Sequence, residues 1–305
     1  MNGGVEQLAI IGTGLLGASL GLAAKATGHA GRVVGYSRRQ ATVDEALARG
    51  AIDAGTTRLA DAVAGSSLLV VAVPLGQMDA TFKAIGEAMR RGGGGGGGGV
   101  VVTDVGSTKR SVLAAARTHL PEPARFVGSH PMAGSEQQGP AHADANLFNA
   151  KPCVVTPEPD THPDAVQRVT ALWRTLGMNV LCMTAATHDA HAATISHLPH
   201  AMAALLVAVA EQRGGWELAS TGFRDTTRLA SSNPPMRADI LIANADEVRA
   251  TFAAIRQRLD ELDALLQAGD REGILTLLEA CKAARDGWRE PGWRGEPQMN
   301  TDEHR

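Results

Sequence analysis

The chain has 305 residues, 44% of them hydrophobic and 20% charged, which suits about two packed domains and excludes disorder as the main state. Its 29 Lys and Arg against 32 Asp and Glu give a formal charge of −3 with no basic cluster, and aromatic residues make up only 3%, so neither a duplex nor a stacked single strand is an expected partner. Three cysteines, Cys153, Cys182 and Cys281, form no C-x-x-C pair, which argues against a zinc knuckle or a disulfide framework and fits a reducing cytoplasm.

Short runs rich in Val, Ile and Leu alternate with Ala-rich segments as far as residue 183, the pattern of β-α-β units feeding a parallel sheet buried on both faces. The expected strands are Leu8–Ile11, Arg32–Tyr36, Leu68–Val73, Val100–Asp104, Arg125–Gly128, Cys153–Thr156 and Asn179–Met183. Thr42-x-x-Glu45 reads as a capping box, and Gly50 as the stop of the helix it opens. The glycine run Gly92–Gly99 reads as a flexible loop before a strand, away from the strand C-termini.

After Met183 the strand signals stop. Helical patterns cover Thr187–Glu211, Ala238–Ala268 and Arg271–Arg285, with Gly and Asn-Pro-Pro breaks between them. Val248, Thr251, Phe252, Ile255, Leu259, Leu262, Leu265 and Leu266 recur at three- and four-residue steps, a stripe that needs either a neighbouring helix or a second subunit. The division expected is 1–184 for a Rossmann-type α/β domain, 185–286 for an all-α domain and 287–305 for a disordered tail. No signal peptide opens the chain, and the longest apolar stretch, Ala201–Ala210, is short of the roughly 20 residues of a membrane span.

Gly12-Thr13-Gly14-Leu15-Leu16-Gly17 follows the first strand and precedes a helix. Gly12 allows the turn, Gly14 the approach of a pyrophosphate and Gly17 the contact of helix with strand, while the helix N-terminus presents free N–H groups. This is a dinucleotide site, with Val73 and Pro74 at a neighbouring strand end. A carboxylate after the second strand would serve NAD. The chain has Ser37, Arg38 and Arg39 there, suited to a 2′-phosphate, so NADP is expected. The competing reading leaves both arginines solvated and gives the ribose of NAD to Asp44.

Three further polar clusters are Asp104-Val-Gly-Ser107-Thr-Lys109, Gly128-Ser-His130-Pro-Met-Ala-Gly-Ser135-Glu136, and His188-Asp189 through Ser196-His197-Leu-Pro-His200. Ser107 and His130 follow predicted strands, the edge at which open α/β sheets bind ligands. The second cluster, Ser-His-Leu-Pro-His and Gly222-Phe-Arg-Asp-Thr-Thr-Arg228 together resemble the prephenate/arogenate (cyclohexadienyl) dehydrogenase family, from the glycine loop to about residue 285.

The resemblance implies a Rossmann domain joined to a helical dimerisation domain, a homodimer, and oxidative decarboxylation of a cyclohexadienyl substrate. That chemistry needs a base near neutral pKa, and His130 fits. By resemblance Ser107 orients His130 and the nicotinamide, with a helix N-cap as its bland role. Arg228 fits the family's anion clamp, with Arg224 its competitor. His200 resembles a substrate-contacting histidine. His188 and Asp189 resemble an entrance pair, Asp189 tethering Arg228 between turnovers. Ser135 and Glu136 would reach the substrate side chain.

No metal is expected, since the histidines offer no H-x-x-x-H pair. The family often has Trp after Asn/Asp-Pro-x-Met, where this chain has Arg237, a departure expected to alter packing more than catalysis. A monofunctional enzyme is expected, with no fused mutase or regulatory domain. The alternatives are a β-hydroxyacid dehydrogenase or imine reductase, which would place a lysine in Thr187–Glu211 where there is none, and a non-catalytic NADP-sensing module.

Overall fold

The computed structural model describes residues 4–92, 99–134 and 137–288. The chain divides into two compact units, Met1–Ala253 and Ala254–Arg305. The first is built on an eight-stranded sheet: β1 (Val5–Ile11), β2 (Ala30–Tyr36), β3 (Ala54–Thr56), β4 (Leu68–Val71), β5 (Val101–Asp104), β6 (Phe126–Pro131), β7 (Pro152–Thr156) and β8 (Asn179–Cys182). Their order across the sheet is β3-β2-β1-β4-β5-β6-β7-β8, a Rossmann-type arrangement whose order reverses between β1 and β4.

Alternation along the strands sends side chains to two cores. Leu8, Ile10, Val33, Leu68, Val70 and Val101 pack on one face, against α1 (Leu15–Ala26), α2 (Gln40–Ala48) and α6 (Pro163–Thr175). Ala9, Ile11, Val34, Leu69, Val71 and Val102 pack on the other, against α3 (Leu59–Val63), α4 (Met78–Gly92) and α5 (Arg110–His119).

Several expectations need correction. β3 was not anticipated: three residues, Ala-Gly-Thr, on the sheet edge give no apolar run to read. β4 ends at Val71, leaving Val73 and Pro74 in the turn beyond it. β7 runs antiparallel to β6: among the described residues between them the only helix is the short 3-10 turn Pro140–His142, with no α-helical crossover to carry the chain back to the starting edge. α2 begins at Gln40 with Arg39 as its cap, so Thr42 is not the N-cap; Gly50 does end the helix, with φ 70° and its N–H on the Leu47 carbonyl at 2.8 Å. Six of the eight consecutive glycines lie outside the described residues, as does the tail from 289 onward.

The helical part starts with α7 (Ala185–Ala192), a π turn at Ala193–His197 and α8 (Leu198–Arg213), a continuous run of 29 residues. Pro199 explains the π turn: it has no N–H to donate, and its ring crowds the carbonyl four residues back. By length and composition alone this run could cross a bilayer, which the 201–210 stretch did not suggest. It carries buried Asp189, His188 and His197 into the α/β unit, polar groups that hydrocarbon would penalise. α9 (Thr221–Thr227), α10 (Pro234–Ala243), α11 (Ala245–Ala268) and α12 (Arg271–Gly287) are the remaining α-helices among the described residues. The helix expected over Ala238–Ala268 is thus two, broken at the fully buried Asn244.

Candidate active site

The glycine loop sits in the crevice where the strand order reverses. Gly12 has φ 108°, and a Cβ there would lie 2.5 Å from the Ala72 carbonyl oxygen, so only glycine lets the loop pass the end of β4. A Cβ at Gly17 would lie 1.9 Å from the Gly12 carbonyl oxygen. At Gly14, by contrast, nothing stands within 4 Å of the Cβ position, and α1 has no side-chain cap on its free N–H groups. Open space before an uncapped helix N-terminus is what a pyrophosphate needs, so the residues fit a dinucleotide. Leu15, Leu16, Val73 and Pro74 are partly to fully exposed around this opening, and the Thr13 hydroxyl is buried without a partner.

At the end of β2, Ser37 is half-buried and Arg38 and Arg39 are exposed, with no ion pair to either arginine among the described residues. Asp44 lies on α2, where its carboxylate accepts from Gln40 Nε2 at 2.7 Å.

Beyond β5 and β6 the strands are joined by side chains. Asp104 accepts from the N–H groups of Gly106 at 2.7 Å and Ser129 at 3.1 Å, and pairs with Lys109, whose ammonium also donates to the Ser129 carbonyl at 2.6 Å. This fully buried pair fixes the end of β6, and with it His130. His130 Nδ1 lies 2.9 Å from His188 Nε2, and His188 Nδ1 lies 2.7 Å from Asp189 Oδ1. Asp189 is fully buried and also accepts from the N–H groups of Lys109 at 2.7 Å and Arg110 at 2.9 Å.

These contacts set the tautomers. Burial alone would raise the Asp189 pKa, but the bonds from His188, Arg110 and Lys109 outweigh it and hold the carboxyl below its ordinary value. An ionised carboxylate only accepts, so His188 donates from Nδ1; with one proton on each ring, His188 Nε2 accepts from His130 Nδ1–H, which leaves His130 Nε2 with its lone pair. Burial, then the neighbouring His188, Lys109 and His197, push the His130 pKa well below its usual value, so the ring is neutral around pH 7.

The other histidines sit on the adjoining helices. His200, half-buried, has Nδ1 3.0 Å from Ser232 Oγ and 3.2 Å from the Leu229 carbonyl. His197 is buried, with Nδ1 3.2 Å from Asn244 Nδ2, and burial lowers its pKa to about 4 against the pull of Asp189. Arg228 is exposed in the turn that supplies the Leu229 carbonyl to His200; Arg224 is exposed and pairs with Asp225 at 3.0 Å.

Three sequence-based roles fail. Asp189 does not tether Arg228, because its oxygens are occupied by the backbone and side-chain donors of α5 and by His188. His188 does not line an entrance: it is 3% exposed and stands behind His130. Ser107 is not the N-cap of α5, which is Lys109, and its hydroxyl has no hydrogen bond among the described residues, although it stands half-buried on the turn after β5. Ser135 and Glu136 lie outside the described residues.

Sequence reasoning missed Arg110 and Asn244. Arg110 donates to Asp246 at 2.6 and 2.7 Å, to Asn244 at 3.0 Å and to Asp189 at 3.4 Å; Asn244 donates to the Asp189 carbonyl at 2.8 Å. The only signal for Asn244 was a lone amide inside an apolar helical pattern.

Family models describe both parts of the chain: residues 20–182 match the prephenate dehydrogenase nucleotide-binding domain, and residues 184–280 the prephenate dehydrogenase dimerization domain. The chain belongs to the prephenate dehydrogenase family. It is 32% identical to the Bacillus subtilis prephenate dehydrogenase over 94% of this chain and 77% of that one. With the Zymomonas mobilis cyclohexadienyl dehydrogenase it shares 30% identity over 92% of this chain and 95% of that one. The Aquifex aeolicus prephenate dehydrogenase, solved with hydroxyphenyl propionate and NAD+, superposes with a TM-score of 0.84 at 27% identity, covering 92% and 97% of the two chains. A Synechocystis arogenate dehydrogenase gives 0.79 at 29% identity, covering 92% and 99%. The prephenate/arogenate dehydrogenase activity and a nicotinamide dinucleotide cofactor follow from this membership.

Proposed function

We propose that this enzyme oxidatively decarboxylates prephenate, or its amino counterpart arogenate, with NADP, and that His130 is the base. The observation that carries this reading is the Asp189–His188–His130 relay, which leaves a lone pair on a buried, neutral imidazole at the C-terminal edge of the sheet.

Gly12, Thr13, Gly14, Leu15, Leu16 and Gly17 would hold the pyrophosphate, Val73 and Pro74 the adjoining wall, and Ser37, Arg38 and Arg39 the 2′-phosphate. NADP is preferred to NAD because the residues after β2 are two unpaired guanidiniums and a hydroxyl with no carboxylate among them. When bound, the nicotinamide supplies the acceptor for the hydride of the ring carbinol.

His130 Nε2 takes the carbinol proton as the C–O bond gains double-bond character. The cation that arises on the imidazole is stabilised through the His188 hydrogen bond by Asp189, which stays ionised and takes no proton. The ring carboxylate leaves as carbon dioxide, its bonding pair enters the ring, and the resulting phenolate recovers the proton from His130. A base held well below its usual pKa returns that proton readily. Arg228 is the clamp for a substrate carboxylate and His200 a substrate contact; Ser107 stands on the turn after β5, and Ser135 and Glu136, which follow β6 in sequence, are assigned to the substrate side chain.

His188 and Asp189 act through His130 rather than by touching the substrate. Residues 1–184 are read as the cofactor domain and 185–286 as the substrate and dimerisation domain. Exposed Leu205, Leu206, Val209, Leu259, Leu266 and Leu278 support a homodimer, and a cytoplasmic enzyme is consistent with the buried polar anchors of the 185–213 helical run. Purified protein assayed with prephenate and with arogenate, each with NAD and NADP, tests the reading through the absorbance of the reduced nicotinamide. NADP-dependent turnover of either acid supports it, and no turnover in any of the four combinations overturns it.

A further inference from the structure

Arg237 lies in the first turn of α10, a helix anchored to the candidate site at both ends. Ser232, just before it, bonds His200 at 3.0 Å, and Asn244, just after it, bonds His197 at 3.2 Å and the Asp189 carbonyl at 2.8 Å. Midway, Asp239 closes on the turn after β4, where a Cβ at Gly76 would lie 2.6 Å from its carboxylate. Between these anchors the Arg237 side chain is half-buried. Its Nε is inaccessible to solvent and has no hydrogen-bond partner, and no carboxylate stands within ion-pair distance among the described residues. A half-buried guanidinium with an unpaired, solvent-inaccessible Nε and no anion weakens a fold, which is the arrangement expected of a group whose partner is a ligand. Burial lowers the pKa of His200, and the positive charges of Arg237 and then Arg228 lower it further.

We propose that Arg237 binds the side-chain carboxylate of the substrate and so determines its preference, favouring the dianionic keto acid over the zwitterionic amino acid. The proposal rests on the reaction assigned above. In that substrate the carbinol lies across the ring from the carbon that bears one carboxylate and the side chain ending in the other, so with the carbinol at His130 both anions fall at the far end. One carboxylate departs and one persists. A desolvated cation on the departing group would stabilise the charge that the reaction must discharge, which slows the step; on the persisting group it contributes equally to ground and transition states. Arg237, the more buried cation, therefore holds the persisting carboxylate and exposed Arg228 the departing one. An ammonium beside the persisting carboxylate would meet the positive field of Arg237.

The test compares Arg237→Gln, Arg237→Lys and Arg228→Gln in kcat and KM for prephenate and arogenate, and in equilibrium binding of 4-hydroxyphenylpyruvate, which retains only the side-chain carboxylate. Arg237→Gln should raise the KM for prephenate about 10–100-fold with kcat within about threefold, narrow the preference over arogenate about tenfold, and weaken 4-hydroxyphenylpyruvate binding to match. Arg237→Lys should recover part of each loss. Arg228→Gln should raise the KM for prephenate and leave 4-hydroxyphenylpyruvate binding unchanged. Unaltered 4-hydroxyphenylpyruvate affinity in Arg237→Gln, or an equal fall in kcat for both acids, overturns the proposal. Wild-type protein that turns over neither acid overturns the reaction instead, and the binding comparison still decides the role of Arg237.

Discussion

Replacing Asp189 with Asn isolates the relay, because it removes a charge while changing the volume hardly at all. Four donors converge on this carboxylate: the N–H groups of Lys109 and Arg110, Arg110 Nε and His188 Nδ1. An amide can satisfy only one side of that arrangement. With its oxygen toward His188 the tautomers survive, but its NH2 faces the Arg110 donors and the carboxylate no longer stabilises a protonated His130. With its nitrogen toward His188 both imidazoles invert, and His130 Nε2 carries a hydrogen where the base needs a lone pair. The first outcome removes the charge stabilisation and the second the base, so kcat should fall about 10²–10⁴-fold. Breaking a buried charged cluster should also lower stability by about 3–5 kcal/mol. Steady-state turnover at saturating NADP and substrate, below the melting transition of the variant, measures the effect. An Asp189→Asn enzyme within threefold of wild type would refute the relay.

Two further outcomes follow. Replacing Arg38 and Arg39 together with Ala should raise the KM for NADP about 10–100-fold and leave that for NAD within about twofold, since each charge-assisted bond to a phosphate contributes about 1.5 kcal/mol or more; an equal effect on both cofactors contradicts the 2′-phosphate assignment. His197, with its pKa lowered to about 4, binds its proton less readily folded than unfolded, so its contribution to stability is complete above about pH 6.5 and is lost as the pH falls toward 4, on the order of 3 kcal/mol in all. Urea titrations at pH 7.5 and pH 5 should show that loss, and His197→Gln should reduce it; an unchanged pH dependence in the variant removes His197 as the cause.

Much of the site was legible because strand ends and helix starts have local signatures. The glycine loop carries its own stereochemistry, and His130 was found because a polar cluster at the end of an apolar strand falls on the ligand edge, although β6 runs on past the expected Gly128 to Pro131 and so includes His130. The roles of His188 and Asp189 were misread, since whether a histidine faces a cleft or stands behind another imidazole is decided by the packing of α7 on α5, which no local pattern encodes. Arg110 and Asn244 were missed for the same reason: their partners lie 47 to 136 residues away. The antiparallel β7 was missed because its apolar run reads alike in either direction, and β3 because three small edge residues have no pattern.

The most direct measurement is the turnover of His130→Asn, with NADP affinity followed in parallel by fluorescence titration. The lone pair on His130 Nε2 predicts a loss of about 10²–10⁴-fold in kcat with NADP affinity within a few-fold of wild type. Turnover within threefold of the wild-type value would contradict the assignment of this imidazole as the base.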